Sequence, residues 1–269
     1  MSELCALHGL SRQAYYKALQ ANEKEQIEES IIIKMIQAIR AVMPKIGGRK
    51  LYHLLQEDLQ TLDHPMGRDK FFYFLGRHSL LVQRKKKYAK TTDSFHRYRV
   101  YDNLIKEVVA ERAHQVVVSD ITYIRTLTGF CYLALVTDLY SRKIVGYDLS
   151  LSLSLDGALR ALQMALKGID AQDLIHHSDR GVQYCAEDYV ALLKKHGAFI
   201  SMGEPGNPYD NAVAERINGI LKDEFFLDTT FVDFEQALKA VQEAIETYNN
   251  LRPHMSLNYQ TPAQVHQAA

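Results

Sequence analysis

Three acidic residues stand at positions that suggest metal-dependent chemistry. Asp120 lies within the apolar, β-rich run "QVVVSDITYI", where a carboxylate is costly unless something compensates it. Asp179 ends the run "DLIHHSD", and Glu215 lies on a predicted helix, "GNPYDNAVAERINGILKDEF". If the strands of Asp120 and Asp179 are neighbours, both carboxylates can meet at one edge of a sheet. The helix could then bring Glu215 to the same point.

Clustered carboxylates repel one another and tend to protonate unless cations bind between them. Hard oxygen ligands with open coordination sites suit Mg²⁺ or Mn²⁺. Two such ions, about 3.5–4 Å apart, can activate a nucleophilic oxygen and stabilise the leaving oxygen at a phosphodiester. We therefore expect Asp120, Asp179 and Glu215 to bind Mg²⁺ or Mn²⁺ as two ions, and the reaction to be phosphoryl transfer on nucleic acid.

The helix of Glu215 has one apolar stripe and one face with short or polar side chains. The stripe consists of Val213, Ile217, Ile220 and Leu221, and the opposite face of Asn211, Ala212, Glu215, Asn218, Gly219 and Lys222. Short side chains on either side of Glu215 would let DNA and metal ions approach it. A single glutamate on such a face is more often an ordinary solvated residue, so its catalytic interpretation depends on the two aspartates.

The elements that must position these acids follow in the order β-β-β-α-β-α-β-α. Runs 115–124, 129–139 and 142–151 are rich in β-forming residues and predict an antiparallel meander. Alternating helices and strands follow and predict an α/β domain, a mixed five-stranded sheet with flanking helices, over residues 114–226. Residues 227–269 are expected to hold a last helix and a tail.

Residues 1–83 read as helical. A turn at Gly9 precedes Ser11, a good N-cap, and this is the outline of a helix-turn-helix. A second predicted helical pair, "GGRKLYHLLQEDL" and "MGRDKFFYFLGRH", has Arg68 and Lys70 near the start of its second helix, where a recognition helix would meet DNA. Plain helical hairpins are the alternative.

The net charge of zero hides an asymmetry along the chain. Residues 45–100 carry thirteen Lys and Arg against five Asp and Glu, a net charge of +8, so the remainder carries −8. The predicted linker, residues 84–113, contains most of a basic run interleaved with aromatic residues. Its basic residues are Arg84, Lys85, Lys86, Lys87, Lys90, Arg97 and Arg99. Phosphate contacts and base stacking favour nucleic acid as the partner over a merely solvated linker.

The sequence has no run of about 18 apolar residues, so no membrane span is expected. Its three cysteines are far apart and form no CxxC motif, which argues against a zinc site and a disulfide framework. A cytoplasmic location is expected.

The spacing of the acids and the sequence motifs around them resemble those of a known family. There are 58 residues between Asp120 and Asp179 and 35 between Asp179 and Glu215. With "SDITYI", "HSDRGVQY", "GNPYDNAVAER" and "YNNLRPHMSL", the chain closely resembles the DDE transposases of bacterial insertion sequences. The specific match is the second-frame product of the IS-three family, relatives of retroviral integrase with a ribonuclease H-like catalytic fold. The resemblance covers nearly the whole chain and is strongest from about residue 84 onward.

This resemblance implies that Asp120, Asp179 and Glu215 form the metal-binding triad and that Lys222 contacts DNA ends. It implies cleavage at element ends by water, followed by attack of the freed 3′-hydroxyl on another strand. The implied partners are the element's terminal repeats, target DNA, further copies of the chain and an upstream-frame helix-turn-helix protein, in the bacterial cytoplasm at the nucleoid. A nuclease that only hydrolyses and a decayed, DNA-binding repressor are the alternatives.

Several polar residues keep two interpretations at this stage. His176 and His177 are adjacent on a strand, so one should be buried and the other could line a cleft. Asp138 ends the second strand as a turn residue or as a further catalytic carboxylate. Arg252 contacts DNA or holds the last helix in place.

Overall fold

The computed structural model describes residues 11–83, 98–204 and 211–268, together with residues 5, 7 and 9. The chain divides into two compact units, Met1–Gln83 and Arg84–Ala269. Within the described ranges, no helix is both long enough and apolar enough to cross a membrane.

The first unit is helical, as predicted. Over residues 11–83 its helices are α1 (Arg12–Val42), α2 (Gly48–Thr61) and α3 (Arg68–Arg77). Ser11 is the N-cap of α1, because its Oγ accepts a 3.0 Å hydrogen bond from the amide of Ala14. The helices bury apolar side chains at helical spacing, among them Ile32, Ile36, Leu51, Leu55, Phe71 and Leu75.

The second unit alternates strands and helices. Its strands are β1 (Val116–Thr126), β2 (Gly129–Asp138), β3 (Ile144–Ser150), β4 (Ile175–Ser178), β5 (Phe199–Met202) and β6 (Thr230–Phe231). Its helices are α4 (Leu155–Leu166), α5 (Val182–Cys185), α6 (Glu187–Lys195), α7 (Ala212–Glu224), α8 (Phe234–Asn250) and α9 (Pro262–Gln267).

The sheet has the strand order β3–β2–β1–β4–β5. β1, β2 and β3 pair antiparallel as the predicted meander, and β4 and β5 run parallel to β1. The predicted mixed five-stranded sheet with flanking helices is therefore confirmed. Two residues of β6 add to it, since β4 pairs only with the first part of β1 and leaves the far end of that edge to Thr230 and Phe231.

Side chains alternate between the two faces of the sheet along β1, and they pack into two apolar cores, one on each face. Val117 belongs to the core that α4 and α6 cover, whereas Ile124 belongs to the core that α7 and α8 cover. Helix α8 thus completes one face of the sheet, with Val241 and Tyr248 fully buried there.

Candidate active site

The pairing of β1 with β4 positions the two aspartates. The last paired residues are Ser119 on β1 and Ser178 on β4. Asp120 and Asp179 each follow immediately, so they occupy equivalent positions at the end of the parallel pair. Neighbouring residues in register lie on the same face of a sheet, and both carboxylates are therefore presented to one side. The structure brings together the two acids that the sequence predicted to meet.

The Asp120 carboxylate is held by hydrogen bonds in a poorly solvated position. Its Oδ1 accepts from the amide of Ile121 at 3.0 Å, and its Oδ2 accepts from Nδ2 of Asn218 at 2.7 Å. Burial raises the pKa of Asp120 to about 7, and the charges of Asp179 and, more weakly, Glu215 act in the same direction. The two hydrogen bonds oppose this rise in pKa without cancelling it. Near neutral pH the Asp120 carboxylate is therefore about half protonated, and a bound cation would favour its charged form.

Helix α7 carries Glu215 in its first turn. Ile217, Ile220 and Leu221 are buried against the sheet, as the predicted apolar stripe requires. Glu215 lies on the exposed part of the helix, and its charge still acts on Asp120. The three predicted acids therefore form one electrostatically coupled group.

Asn218 is the member of this site that sequence reasoning missed. The helical wheel placed it on the exposed face, but only 7% of its surface is accessible, and its amide group binds Asp120. Its Oδ1 is buried and has no hydrogen-bond partner. The available sequence clue was its position, one helical turn after Glu215, on a helix already expected to approach Asp120.

The donor atoms of this group fit a hard divalent cation. All three acids offer carboxylate oxygens, the ligands that Mg²⁺ and Mn²⁺ prefer. The unpartnered Oδ1 of Asn218 leaves a further oxygen beside them. Over the ranges that the structure describes, no three His, Cys, Asp or Glu side chains are gathered closely enough to hold a metal ion as they stand. The match between this group and a divalent cation therefore rests on the chemistry of its oxygen donors. It rests also on the charge interactions of Asp120 with Asp179 and Glu215.

Lys222 lies two turns after Glu215 on α7 and is half-buried. Its Nζ is 4.2 Å from the centroid of the Tyr123 ring, a cation–π contact with the strand that carries Asp120. Burial lowers the pKa of Lys222, whereas the Asp120 carboxylate acts in the opposite direction. Asp228 and Asp223 act in the same direction as Asp120. A positive charge therefore stands next to the acidic group.

The other predicted DNA contacts are dispersed. Arg68 and Lys70 are exposed at the beginning of α3 in the first unit, and Arg68 pairs there with Asp69. Arg99 is exposed, with its guanidinium 5.2 Å from the centroid of the Tyr101 ring. The remaining basic residues lie outside the described ranges: Arg84, Lys85, Lys86, Lys87, Lys90 and Arg97.

The two adjacent histidines are both buried, so neither lines a cleft. Nε2 of His176 lies 2.8 Å from Ser119 Oγ and 2.9 Å from the Tyr189 hydroxyl, and burial lowers its pKa to about 3. Nδ1 of His177 shares a 2.8 Å hydrogen bond with Ser201 Oγ. These bonds assign both histidines to the core.

Asp138 and Arg252 also have structural roles. The buried Asp138 carboxylate accepts hydrogen bonds from the amide of His114 and from both the amide and the hydroxyl of Ser141. The Arg252 guanidinium is buried and donates two hydrogen bonds to the Glu224 carboxylate at the end of α7. Arg252 thereby joins the end of α8 to the helix that carries Glu215.

Comparison with known families gives the same fold. Two models of the integrase core domain match the chain, at residues 110–208 and 196–262. A simian T-cell lymphotropic virus intasome structure aligns with 83% of this chain and 75% of the matched chain, at a TM-score of 0.51 and 18% identity. At that identity the likeness concerns the fold alone.

Curated relatives identify the family. The chain is 34% identical to a 31 kDa protein of insertion element IS600 from Shigella sonnei, over 97% of this chain and 96% of that protein. It is 30% identical to the InsF transposase of insertion sequence IS3A from Escherichia coli strain K12, over 93% of this chain and 88% of the relative. The integrase-core topology, the coupled acids and these full-length relatives agree, and the chain belongs to the family of insertion-sequence transposases with an integrase core domain.

Proposed function

We propose that this transposase cleaves DNA at the ends of its element with water and then joins the freed 3′-hydroxyl to a target strand, with Asp120, Asp179 and Glu215 as the metal ligands. The observation that carries this proposal is the equivalent position of Asp120 and Asp179 at the end of a parallel strand pair, with α7 packed beside them. The electrostatic coupling of all three acids supports it further.

In each chemical step, an attacking oxygen forms a new P–O bond to a phosphodiester, and the P–O bond to the 3′-oxygen of the cut strand breaks. In the first, a water oxygen attacks and the strand leaves with a 3′-hydroxyl. In the second, that hydroxyl attacks a target phosphodiester, and the target strand leaves with its own 3′-hydroxyl. Bound Mg²⁺ or Mn²⁺, as two ions, would supply activation of the attacking oxygen and stabilisation of the leaving oxygen.

The residues of the chain provide the frame for these steps. Asp120 and Asp179 would supply carboxylate oxygens from the rigid sheet, and Glu215 would supply the third from α7. Asn218 holds the Asp120 carboxylate in one orientation through its 2.7 Å hydrogen bond. Lys222 stands next to this group as a positive charge for a DNA phosphate.

Further parts of the chain would hold the DNA. The helical region 1–83, with Arg68 and Lys70 exposed, and the basic linker 84–113 suit binding of the terminal repeats. The catalytic core, 114–226, would act on DNA in the cytoplasm, and residues 227–269 complete its packing. Two ends must be cut and joined together, so we expect copies of the chain to oligomerise on DNA, with an upstream-frame helix-turn-helix protein as a further partner.

One assay tests this function. The full-length protein is incubated with a labelled duplex that carries the terminal repeat of its own element, a target duplex and Mg²⁺ or Mn²⁺, and the products are separated on a denaturing gel. Joined strands are the expected result. Nicked strands without joining would indicate a nuclease, and a gel shift without any cleavage would indicate a DNA-binding repressor; either outcome would contradict the proposal.

A further inference from the structure

Helix α7 ends on an ion pair with the segment that follows α8. The guanidinium of Arg252 donates two hydrogen bonds to the Glu224 carboxylate, from Nε to Oε2 at 2.8 Å and from Nη2 to Oε1 at 2.9 Å. The Arg252 side chain is 3% exposed and that of Glu224 is 17% exposed. Two parallel hydrogen bonds from a planar guanidinium fix the orientation of a carboxylate as well as its distance. The end of α7 is therefore held in one position relative to Arg252.

The sequence of α7 makes such a partner favourable. Asp223 and Glu224 are the last two residues of the helix. A carboxylate at this end is repelled by the carbonyl groups of the last turn, which carry the negative end of the helix dipole. Lys222 lies in the same turn, but its ammonium group is 4.2 Å from the centroid of the Tyr123 ring. Arg252 thus supplies a cation to an acid that the helix dipole disfavours.

Arg252 is itself fixed to the sheet through the end of α8. Its amide donates a 3.0 Å hydrogen bond to the carbonyl of Thr247, and its guanidinium lies 5.6 Å from the centroid of the buried Tyr248 ring. The side chain of Asn249 exchanges two hydrogen bonds with the backbone of Ile144 on β3, at 2.9 and 3.0 Å. The ion pair therefore connects α7 to a rigid frame rather than to a surface loop.

The two glutamates of α7 lie on opposite sides of its apolar contact with the sheet. Ile217, Ile220 and Leu221 pack into the core between them. At 1.5 Å per residue, Glu215 and Glu224 each lie about 7 Å from the middle of this contact. A helix that pivots on a central contact moves its two ends by similar amounts in opposite directions. A shift of about 1 Å at Glu224 thus becomes a shift of about 1 Å at Glu215, and a misplacement of this size can lower a catalytic rate about a hundredfold.

We propose that Arg252 is a positioning residue for strand joining: through Glu224 it sets the tilt of α7, and through α7 it sets the place of Glu215. This inference rests on the proposed function, because it requires Glu215 to hold a metal ion together with Asp120 and Asp179. It adds a residue that affects the reaction without touching DNA.

A double-mutant cycle in the full-length protein tests this proposal. The variants are Arg252→Met, which removes the charge but keeps a long side chain, Glu224→Gln, and both together. Each single variant should join bound terminal-repeat DNA at least tenfold more slowly, while its affinity for that DNA stays within about twofold of wild type. Its affinity for Mn²⁺, measured by electron paramagnetic resonance, should fall as well. The double variant should be no slower than the slower single variant, because the two residues act as one unit.

Two further variants separate positioning from stability. Arg252→Lys keeps the charge but loses the paired hydrogen bonds, so joining and Mn²⁺ affinity should fall by intermediate amounts. Leu162→Ala removes a fully buried side chain from the core on the other face of the sheet, and it should lower the midpoint of urea unfolding. Joining per folded molecule and Mn²⁺ affinity should nevertheless stay at the wild-type level in Leu162→Ala. If Arg252→Met does not fold, the comparison of Arg252→Lys with Leu162→Ala decides the question by the same measurements.

Three results would overturn the positioning role. Wild-type joining and Mn²⁺ affinity per folded molecule in the Arg252 variants would make the ion pair purely structural. A loss of DNA affinity with an unchanged joining rate of bound DNA would assign Arg252 to a DNA contact. Additive losses in the double variant would show that Arg252 does not act through Glu224.

The outcome is separable from that of the proposed function. If wild type joins strands and Glu215→Gln does not, the function stands whatever the Arg252 variants do. If wild type does not join strands, the proposed function fails, whereas a Mn²⁺ affinity that depends on the ion pair would still support the positioning of Glu215. A Mn²⁺ affinity that is independent of the ion pair would then overturn both.

Discussion

The amide of Asn218 donates a 2.7 Å hydrogen bond to Oδ2 of Asp120, and this bond joins α7 to the strand that carries the first acid of the site. It stabilises the charged carboxylate, since its effect is to lower the Asp120 pKa against the opposing effect of burial. Under the proposed function, Asn218 would be a positioning residue whose influence on the reaction passes through Asp120.

The first prediction concerns this bond. Asn218→Ala should slow strand joining by about tenfold or more at neutral pH, because a hydrogen bond to a charged group is worth about 1.5–3 kcal/mol. The pKa of Asp120 should rise further, so the pH dependence of joining should move to higher pH, with part of the activity recovered in alkaline buffer. A pH–rate profile measures this. A uniform loss of activity at every pH would contradict the positioning role.

A second prediction concerns removal of metal. The folded-state pKa of Asp120, about 7, lies above that of an unfolded aspartate, about 3.9. The unfolded state therefore loses its proton first, and stability in EDTA should fall as the pH rises from about 4 to about 7 and stay low above that. Asp120→Asn should remove this loss and raise the stability of the metal-free protein at pH 8 by up to about 4 kcal/mol.

Thermal melts in EDTA and in Mg²⁺ check that prediction. Mg²⁺ should raise the Tm of wild type at pH 8 and have little effect on Asp120→Asn. The two proteins should have similar Tm values in EDTA near pH 4. A wild-type Tm in EDTA that is independent of pH across this range would show that Asp120 is not held against ionisation.

Gly219 provides a third prediction, because it lies one turn beyond Glu215 on α7. A Cβ there would meet no heavy atom within 4 Å apart from its own helix backbone and chain neighbours. Gly219→Ala should therefore stabilise the fold by roughly 0.5–1 kcal/mol through helix propensity. If DNA approaches this face closely, joining should nevertheless fall by about tenfold. A variant that is more stable and joins at the wild-type rate would show that DNA does not approach there.

A fourth prediction separates Asp138 from the three acids proposed as catalytic. Burial alone raises the pKa of Asp138, but the nearby His266 ring, whose Nδ1 is 3.9 Å from the carboxylate, and hydrogen bonds from Ser141 and the amide of His114 outweigh it and leave the pKa lowered. A lowered folded-state pKa contributes stability above the unfolded value, near 3.9, and this stability is lost as the pH falls through the folded value. Asp138→Asn should cost about 2 kcal/mol at pH 7 and less at pH 3, where an unfolded aspartate is mostly protonated.

Urea unfolding at the two pH values measures this difference. Residual folded Asp138→Asn should keep near wild-type joining per folded molecule. A loss of joining without a loss of stability would make Asp138 a catalytic carboxylate after all.

The basic linker gives a fifth prediction, from charge alone. Replacing Lys85, Lys86 and Lys87 by Ala should weaken DNA binding and reduce the slope of log affinity against log salt by about 2–3, since each lost phosphate contact contributes about 0.9. A triple substitution of the exposed Lys194, Lys195 and Lys239 is the matched control. Equal slopes for both triple variants would remove the linker from the DNA site.

The features that could be predicted from the sequence depend on hydrophobic periodicity and on the order of strands and helices along the chain. Alternating β-rich runs and helices predict the α/β domain. Asp120 lies inside one strand-forming run and Asp179 ends another, so the sequence brings them to one edge only if their strands are neighbours, a condition that the pairing of β1 with β4 meets. The apolar stripe of α7 likewise determines which face is buried. These features depend on local pattern and on a few rules of chain connection.

The features that could not be predicted depend on how helices and strands pack against one another. A helical wheel separates Asn218 from the apolar stripe, but the packing of α7 against β1 turns that side chain towards Asp120 and buries it. Glu224 is the last residue of α7, and it pairs with Arg252, 28 residues later in the chain. The contact of Lys222 with Tyr123 also joins residues that are far apart in the chain. A local sequence pattern does not indicate contacts between residues that are so far apart in the chain.

The most direct test of the central claim is strand joining by Glu215→Gln. The control is Glu246→Gln, which makes the same change at an exposed position on α8. Both variants should fold and bind terminal-repeat DNA near the wild-type level. We expect Glu215→Gln to give no joined strands with Mg²⁺ or Mn²⁺, while Glu246→Gln joins as wild type does. Joined strands from Glu215→Gln at the wild-type level would contradict the assignment of the three acids as the metal-binding catalytic group.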